Sequence, residues 1–250
     1  MTEYKRGIYL LPNLFTTGAL FAGFYSIVAA MNEQFEPAAI AIFVAMVLDG
    51  MDGRIARLTN TASEFGMQYD SLSDMISFGL APALIMYQWA LSDIGKLGWL
   101  ASFVYTASAA LRLARFNTQA TSIDKRYFQG LPSPAAAAVL AGMIWFGSSY
   151  GLEDGASVIV FCLPITLLVG ILMVSNIRYH SFKQLDLKGR VPFMAVLVIV
   201  PIFVLIAVEP PLVLCLITSL YAISGPILTL ILIRKHRESR KVSDVDAGNT

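Results

Sequence analysis

Long apolar runs separated by short polar segments make up most of the chain. A transmembrane helix needs about 20 predominantly apolar residues to cross the bilayer core, and the pattern predicts about eight such helices. Their approximate ranges are 14–31, 37–58, 71–91, 97–115, 134–150, 156–176, 192–208 and 212–233. The predicted fold is therefore an all-α bundle of transmembrane helices. Residues 2–11 are expected to form a short interfacial helix before it.

Composition agrees with a polytopic membrane protein. Of the 250 residues, 56% are hydrophobic and 14% are charged, whereas soluble domains carry about 25% charged residues. We expect one transmembrane domain over residues 1–233, with a core at 11–176 and an extra helix pair at 192–233. Residues 234–250 are expected to form a cytoplasmic tail that is first basic and then disordered. No nucleic-acid partner is expected.

The basic residues fall almost entirely on one side of the predicted bundle. With a cytoplasmic N-terminus, 17 of the 18 Lys and Arg residues lie in inside segments, and Lys96 alone lies outside. The inside residues are Lys5, Arg6, Arg54, Arg57, Arg112, Arg115, Lys125, Arg126, Arg178, Lys183, Lys188, Arg190, Arg234, Lys235, Arg237, Arg240 and Lys241. The positive-inside rule then predicts a multi-pass protein of the cytoplasmic membrane with both termini in the cytoplasm.

Four aspartates stand at the cytoplasmic ends of the second and third predicted spans. Asp49 and Asp52 are three residues apart and Asp70 and Asp74 are four apart, so each pair shares one helix face. Four carboxylates in a low-dielectric setting repel one another unless a cation neutralises them. Hard oxygen ligands favour Mg²⁺, Mn²⁺ or Ca²⁺. The sequence therefore predicts a divalent metal site, with a solvated cytoplasmic loop as the alternative.

The residues around the aspartates suit a phosphate-bearing ligand. Arg54 and Arg57 place cations beside the acids, as a phosphate-handling site needs. Gly53 and Ala56 leave room on the face of the first pair, and Gly66 lies one turn before Asp70. These small residues allow a bulky polar ligand to approach the backbone and the metal.

The spacing of these residues resembles the signature of the CDP-alcohol phosphotransferase family. That signature, D-x2-D-G-x2-A-R-x8-G-x3-D-x3-D, is complete here, and its fixed positions are Asp49, Asp52, Gly53, Ala56, Arg57, Gly66, Asp70 and Asp74. Three further stretches, LPNLFTTGALFAG, LRLARFN and FQGLPSPAAA, resemble the bacterial-type phosphatidylserine synthase branch of the family. The resemblance covers about residues 11–138.

The resemblance implies a reaction, its cofactors and its partners. The expected reaction moves the phosphatidyl group of CDP-diacylglycerol to the hydroxyl of L-serine, giving phosphatidylserine and CMP. Two Mg²⁺ or Mn²⁺ ions are implied, one held by Asp49, Asp52 and Asp70 and the other by Asp49, Asp70 and Asp74. Asp74 is also the implied general base. A homodimer surrounded by membrane lipids is implied as well.

The same resemblance assigns contacts with the CDP group. It places Gly53, Arg57 and Ser63 there, and it favours the same role for Asn13 and Thr16 at the start of the first span. Capping of a helix N-terminus is the alternative for Asn13, Thr16 and Ser63, since these residue types are common caps.

The acceptor site is predicted from the chemistry of serine. Its carboxylate needs a cationic partner, and a guanidinium offers the best geometric match. The candidates are Arg112 and Arg115 at the end of the fourth span, and Lys125, Arg126 and Ser133 after it. The same arginines could bind a phosphate, so their presence alone does not choose serine over glycerol phosphate. Another member of the family that uses glycerol phosphate, inositol phosphate or choline is the nearest alternative. A cation transporter is the alternative from another class, but its acids belong near the bilayer midplane.

Overall fold

A computed structural model of the chain describes residues 10–59, 61–119, 127–152, 156–180 and 193–247. Nearly all of this part is helical, and two short strands form the sheet within it. The helices are α1 Leu10–Met31, α2 Phe35–Thr59, α3 Glu64–Ile94, α4 Lys96–Gln119, α5 Ser133–Ser149, α6 Ile159–Val174, α7 Phe193–Val208 and α8 Pro210–Ala247. The strands are β1 Tyr127–Gln129 and β2 Arg178–His180.

The structure confirms the predicted all-α membrane fold. Four of the described helices are long and apolar enough to cross a membrane, namely Leu11–Met31, Glu64–Ile94, Lys96–Thr118 and Pro210–Ile231. Ser133–Ser149 and Ile159–Val174 are shorter apolar helices. The number of spans, eight, remains a prediction. Most of the expected interfacial helix falls on residues 1–9, which lie outside the described residues.

Helix α3 departs from regular α-helical geometry immediately after Asp74. A π-helical turn covers Met75–Leu80, and a second one covers Tyr87–Leu91. Pro82 has no N–H to donate to the Phe78 carbonyl one turn before it, and a proline ring displaces the preceding turn. The Tyr105 hydroxyl of α4 donates to that carbonyl at 3.0 Å instead. The irregular turn is thus held in place by the neighbouring helix.

Helices α1, α2 and α3 pack closely against one another along their lengths. Small buried residues of α2, including Ala38, Ala39 and Ala45, allow the close approach of its neighbours. A Cβ atom at Gly23 of α1 would overlap Ser77 of α3, whose hydroxyl donates to the Ala19 carbonyl at 3.1 Å. This contact fixes the middle of α1 beside the turn of α3 that follows Asp74.

The two strands join the segment before α5 to the segment after α6. They pair antiparallel with Phe128 opposite Tyr179, at a place where the sequence predicts only a loop. Gly130 follows β1 with φ 75°, and a Cβ there would meet the Met173 carbonyl. The Leu131 N–H donates to the Leu172 carbonyl at 2.9 Å. These contacts fix the backbone that leads into Ser133.

The last helix is longer than the sequence pattern predicts. The eighth span is predicted to end at about residue 233, with a disordered end to the tail, but α8 continues to Ala247. Between Pro226 and Gly248 the chain has neither proline nor glycine, and it contains five Arg and Lys residues, which are good helix formers. The basic part of the tail therefore extends α8 as a helix.

Candidate active site

Helices α2 and α3 bring three of the predicted aspartates together. Asp49 lies near the end of α2, while Asp70 and Asp74 lie one turn apart on α3. Each of the three offers a carboxylate oxygen, and these oxygens all lie within 4.8 Å of one another. The Ser63 hydroxyl caps the start of α3 by accepting from the Gly66 N–H at 3.0 Å. The short turn thus sets the register that aligns the two acidic pairs.

Asp52 lies beside this group and is the most buried of the four acids, with 6% of its surface exposed. Its Oδ2 accepts a hydrogen bond from the Thr16 hydroxyl of α1 at 2.6 Å. The Thr16 carbonyl in turn accepts from the Ser73 hydroxyl of α3 at 3.2 Å. One residue of α1 therefore connects both acidic helices and orients the Asp52 carboxylate.

The four acids open into one cavity of about 420 Å³. Its lining residues are Asp49, Gly50, Asp52, Gly53, Arg54, Arg57, Asp70, Asp74, Arg112, Leu113, Phe116, Pro132, Ser133 and Pro134. Cβ atoms built at Gly50 and Gly53 would meet no protein atom within 4 Å. Internal packing therefore does not demand these glycines, and the space that they leave belongs to the cavity.

The acidic end of the cavity fits a divalent cation. Asp74 Oδ1 is buried and has no hydrogen-bond partner within the described part of the chain. Asp49, Asp70 and Asp52 all repel the Asp74 charge. A buried carboxylate oxygen without a hydrogen-bond donor costs free energy, and so does the repulsion between neighbouring carboxylates. A hard cation ligated by several carboxylates removes both of these costs. The donor set is all oxygen, as Mg²⁺ and Mn²⁺ prefer.

Arg112 forms the basic side of the same cavity. Its side chain is only 9% exposed, and its Nη1 donates to the Ser133 hydroxyl at 3.0 Å. Its Nε is buried and makes no hydrogen bond to any described residue. Asp74 attracts the guanidinium. A buried cation with an unused donor, in the same cavity as the acids, is suited to an anionic group of a ligand.

Arg115, the other predicted acceptor arginine, lies elsewhere. Its guanidinium donates to the Val174 carbonyl at 2.9 Å and to Asn176 Oδ1 at 3.4 Å. It therefore binds the C-terminal end of α6, where free carbonyls favour a cation, and it does not line the cavity. Lys125 and Arg126 lie outside the described residues.

Three of the predicted CDP contacts lie next to the cavity rather than in its wall. Thr16 binds Asp52, and Ser63 caps α3. A Cβ atom at Gly66 would come within 3.4 Å of Asn13 Oδ1 and 3.1 Å of Ser63 Oγ. Gly66 thus lets α1 approach the cap. Gly53 and Arg57, the other two predicted contacts, do line the cavity.

Some lining residues were not among the predicted site residues. Leu113 and Phe116 lie on α4 beside Arg112, and Pro132 and Pro134 flank Ser133. The helical spacing from Arg112 to Phe116 could have indicated Phe116, because residues four apart share a face. The sequence places Arg112 and Ser133 in one predicted acceptor site, but it does not predict the pairing of β1 with β2, which fixes the backbone that leads into Ser133.

Comparison with known proteins identifies a family. Residues 9–172 match the family model described as CDP-alcohol phosphatidyltransferase. A Helicobacter pylori protein named CDP-diacylglycerol–serine O-phosphatidyltransferase is 40% identical over 228 residues, covering 91% of this chain and 94% of the relative. Proteins of the same name from Methanocaldococcus jannaschii and Bacillus subtilis are 33% and 31% identical, covering 73% and 70% of this chain and 80% and 92% of the relatives.

The family match and the geometry agree on the same part of the chain. The matched segment is more than half of the 250 residues and contains every residue that lines the cavity. It also contains the full aspartate signature from Asp49 to Asp74. This chain therefore belongs to the CDP-alcohol phosphatidyltransferase family.

Proposed function

We propose that this protein transfers the phosphatidyl group of CDP-diacylglycerol to the hydroxyl of L-serine, giving phosphatidylserine and CMP. The observation that carries the proposal is a single cavity lined both by the carboxylate cluster of Asp49, Asp70 and Asp74 and by the buried pair of Arg112 and Ser133. The acidic side suits a metal-bound pyrophosphate. The basic side suits an acceptor with a carboxylate, and the relatives named for serine transfer support the same acceptor.

Asp49, Asp70 and Asp74 would hold one divalent ion, and Asp52 with Asp49 and Asp70 would hold a second. Bound Mg²⁺ or Mn²⁺ neutralises the pyrophosphate and stabilises the CMP that leaves. Thr16 keeps the Asp52 carboxylate oriented through its 2.6 Å hydrogen bond.

The side chains of the protein supply the rest of the chemistry. Arg54 and Arg57 line the cavity beside the acids and bind phosphate oxygens of the CDP group. The serine hydroxyl oxygen attacks the phosphorus that carries diacylglycerol, and the bond from that phosphorus to the CMP oxygen breaks. CMP leaves with the electron pair. Asp74 accepts the hydroxyl proton, late in the step because a metal-bound carboxylate is a weak base.

Arg112 and Ser133 orient the acceptor. The Arg112 guanidinium binds the serine carboxylate, and its hydrogen bond to Ser133 fixes the fork of donors. The serine hydroxyl is then held towards the acidic side of the cavity. Orientation of this kind lowers the entropy cost of the reaction between the two substrates.

Glycerol phosphate is the strongest competing acceptor, because Arg112 could equally bind a phosphate. The deciding experiment measures CMP release by purified protein in detergent micelles that contain CDP-diacylglycerol. L-Serine, glycerol 3-phosphate, inositol phosphate and choline are supplied separately, with Mg²⁺ or Mn²⁺. We expect release with L-serine and a lipid product that carries a primary amine. Release with glycerol 3-phosphate and none with L-serine would refute the proposed acceptor.

We also propose that the protein is a homodimer in the cytoplasmic membrane, with the active site and both termini on the cytoplasmic side. The homodimer rests on the family resemblance, and the support for the orientation is the distribution of charge. Arg54, Arg57 and Arg112 of the cavity belong to the basic side of the chain, and Lys96 lies at the opposite end of α4 from Arg112. The positive-inside rule places that basic side in the cytoplasm.

Cysteine labelling tests the orientation. Asn32 follows α1 at one end of the bundle, Thr118 lies near the end of α4 at the other, and both are exposed. In intact cells, a membrane-impermeant maleimide should label an Asn32→Cys variant and leave a Thr118→Cys variant unlabelled until the cells are opened. The unaltered chain, with Cys162 and Cys215, gives the background. Labelling of Thr118→Cys alone in intact cells would reverse the orientation.

A further inference from the structure

Helix α8 lies outside the segment that matches the family model, residues 9–172, yet it packs against α5, the helix that begins at Ser133. The contacts between α8 and α5 show which residues of the two helices lie side by side. A Cβ atom at Gly142 would come within 3.0 Å of the Cys215 Cα, and the Thr218 hydroxyl contacts the Ala138 carbonyl at 3.4 Å. The two helices therefore run antiparallel. As residue numbers rise along α8, the numbers of the residues opposite them on α5 fall.

This register places Tyr221 next to the segment that holds Arg112. Each residue advances a helix by about 1.5 Å, so three residues beyond Thr218 lie opposite three residues before Ala138. Tyr221 is thus at the level of Ala135, two residues from the Ser133 that binds Arg112. Tyr221 and Arg112 also interact electrostatically.

Strand β2 contributes Tyr179, which fixes the Tyr221 ring in place. The Tyr179 ring packs against the Tyr221 ring with centroids 5.7 Å apart, and its hydroxyl donates to the Ala222 carbonyl at 2.9 Å. Tyr179 is fully buried, and a Cβ at Gly225 would overlap its ring. The pairing of β2 with β1 connects this contact to the backbone that enters α5. One continuous set of contacts thus joins α8 to the Arg112–Ser133 pair.

We propose that Tyr221 of α8 is a positioning residue for Arg112, and that the last helix thereby completes the acceptor site for a carboxylate-bearing alcohol. Arg112 is then held by a hydroxyl from α5 and a phenol from α8, which leaves its remaining donors for the carboxylate. This inference rests on the proposed function. It gives α8, which lies outside the segment that matches the family model, a part in the choice of acceptor.

The test is a Tyr221→Phe variant, which keeps the ring on Tyr179 and removes the hydroxyl. Loss of one hydroxyl beside a charged group should raise the KM for L-serine about threefold to tenfold, while the KM for CDP-diacylglycerol stays within about twofold of wild type. Combined with Arg112→Lys, the change should add little to the KM for L-serine, because the guanidinium that Tyr221 positions is then absent.

Thr218→Val is the matched control, since it alters α8 one turn away and contacts only backbone carbonyls. It should leave both KM values unchanged. Unchanged serine kinetics in Tyr221→Phe would overturn the inference and leave the proposed function intact. Equal increases in both KM values, or full additivity with Arg112→Lys, would show a merely structural role and overturn it too. A wild-type protein that releases no CMP with L-serine would refute the proposed function, and the inference with it.

Discussion

An Asp74→Asn variant should release CMP from CDP-diacylglycerol and L-serine about 10² to 10⁴ times more slowly than wild type, the range expected when a general base is lost. The substitution keeps the size of the side chain and removes the charge that accepts the serine proton. Asp74 lies within 4.8 Å of ligand oxygens from Asp49 and Asp70, so metal binding should weaken as well. Initial rates at saturating substrate and several Mn²⁺ concentrations measure both effects.

The affinities of the variants for Mn²⁺ and for CDP-diacylglycerol distinguish the roles of the acids. Asp49→Asn and Asp70→Asn should lose activity and should also lose the thermal stabilisation that Mn²⁺ gives to the wild-type protein, because bound ligand stabilises only the folded state. Asp74→Asn should retain much of its affinity for CDP-diacylglycerol. Asp93→Asn is the matched control, since Asp93 belongs to the same helix α3 at its opposite end. Near-normal turnover in any of the three acid variants would contradict the assignment of metal ligands.

The aspartate cluster could be predicted because its geometry is local. Asp49 and Asp52 share one helix face and Asp70 and Asp74 share another, and the short turn at Ser63 leaves the two helices few ways to pack. Membrane helices could be predicted for the same reason, since a run of apolar residues long enough to span a bilayer can be recognised from the sequence alone. Both features follow from residues close together in sequence.

The pairing of β1 with β2 could not be predicted in this way. Each strand has three residues, and the two lie on either side of α5 and α6, too short and too far apart for a periodic signal. The role of Thr16 was also missed, because its partner Asp52 is 36 positions away. The π-helical turn after Asp74 depends on Pro82 together with Tyr105 of another helix. These features arise from tertiary contacts between distant segments.

The two arginines of LRLARFN illustrate the same limit. They lie three residues apart, and the helical spacing gives them one face. The structure nevertheless separates their side chains: Arg112 turns into the cavity and binds Ser133, whereas Arg115 binds the C-terminal end of α6. Long side chains that start from one helix face can reach different neighbours. The sequence therefore predicted both arginines in the acceptor site, whereas of these two the structure supports Arg112.

An Arg112→Ala variant should bind L-serine roughly ten- to a hundredfold more weakly than wild type, because removing a charge-assisted hydrogen bond costs about 1.5–3 kcal/mol. The KM for CDP-diacylglycerol should change far less, since the nucleotide binds on the acidic side of the cavity. Arg112→Lys keeps the charge in this buried position and loses the planar fork, so its KM for L-serine should rise by a smaller factor. Initial rates with each substrate varied in turn give these values.

Arg115→Ala is the control that the structure provides. Its guanidinium contacts only the end of α6, at Val174 and Asn176, in the described part of the chain. We expect this variant to melt at a lower temperature, because carbonyls at the helix end lose their donor, and to keep the wild-type KM for L-serine. A raised serine KM in Arg115→Ala, together with an unchanged one in Arg112→Ala, would move the acceptor site out of the cavity. Equal effects in both variants would restore the arginine pair that the sequence predicts.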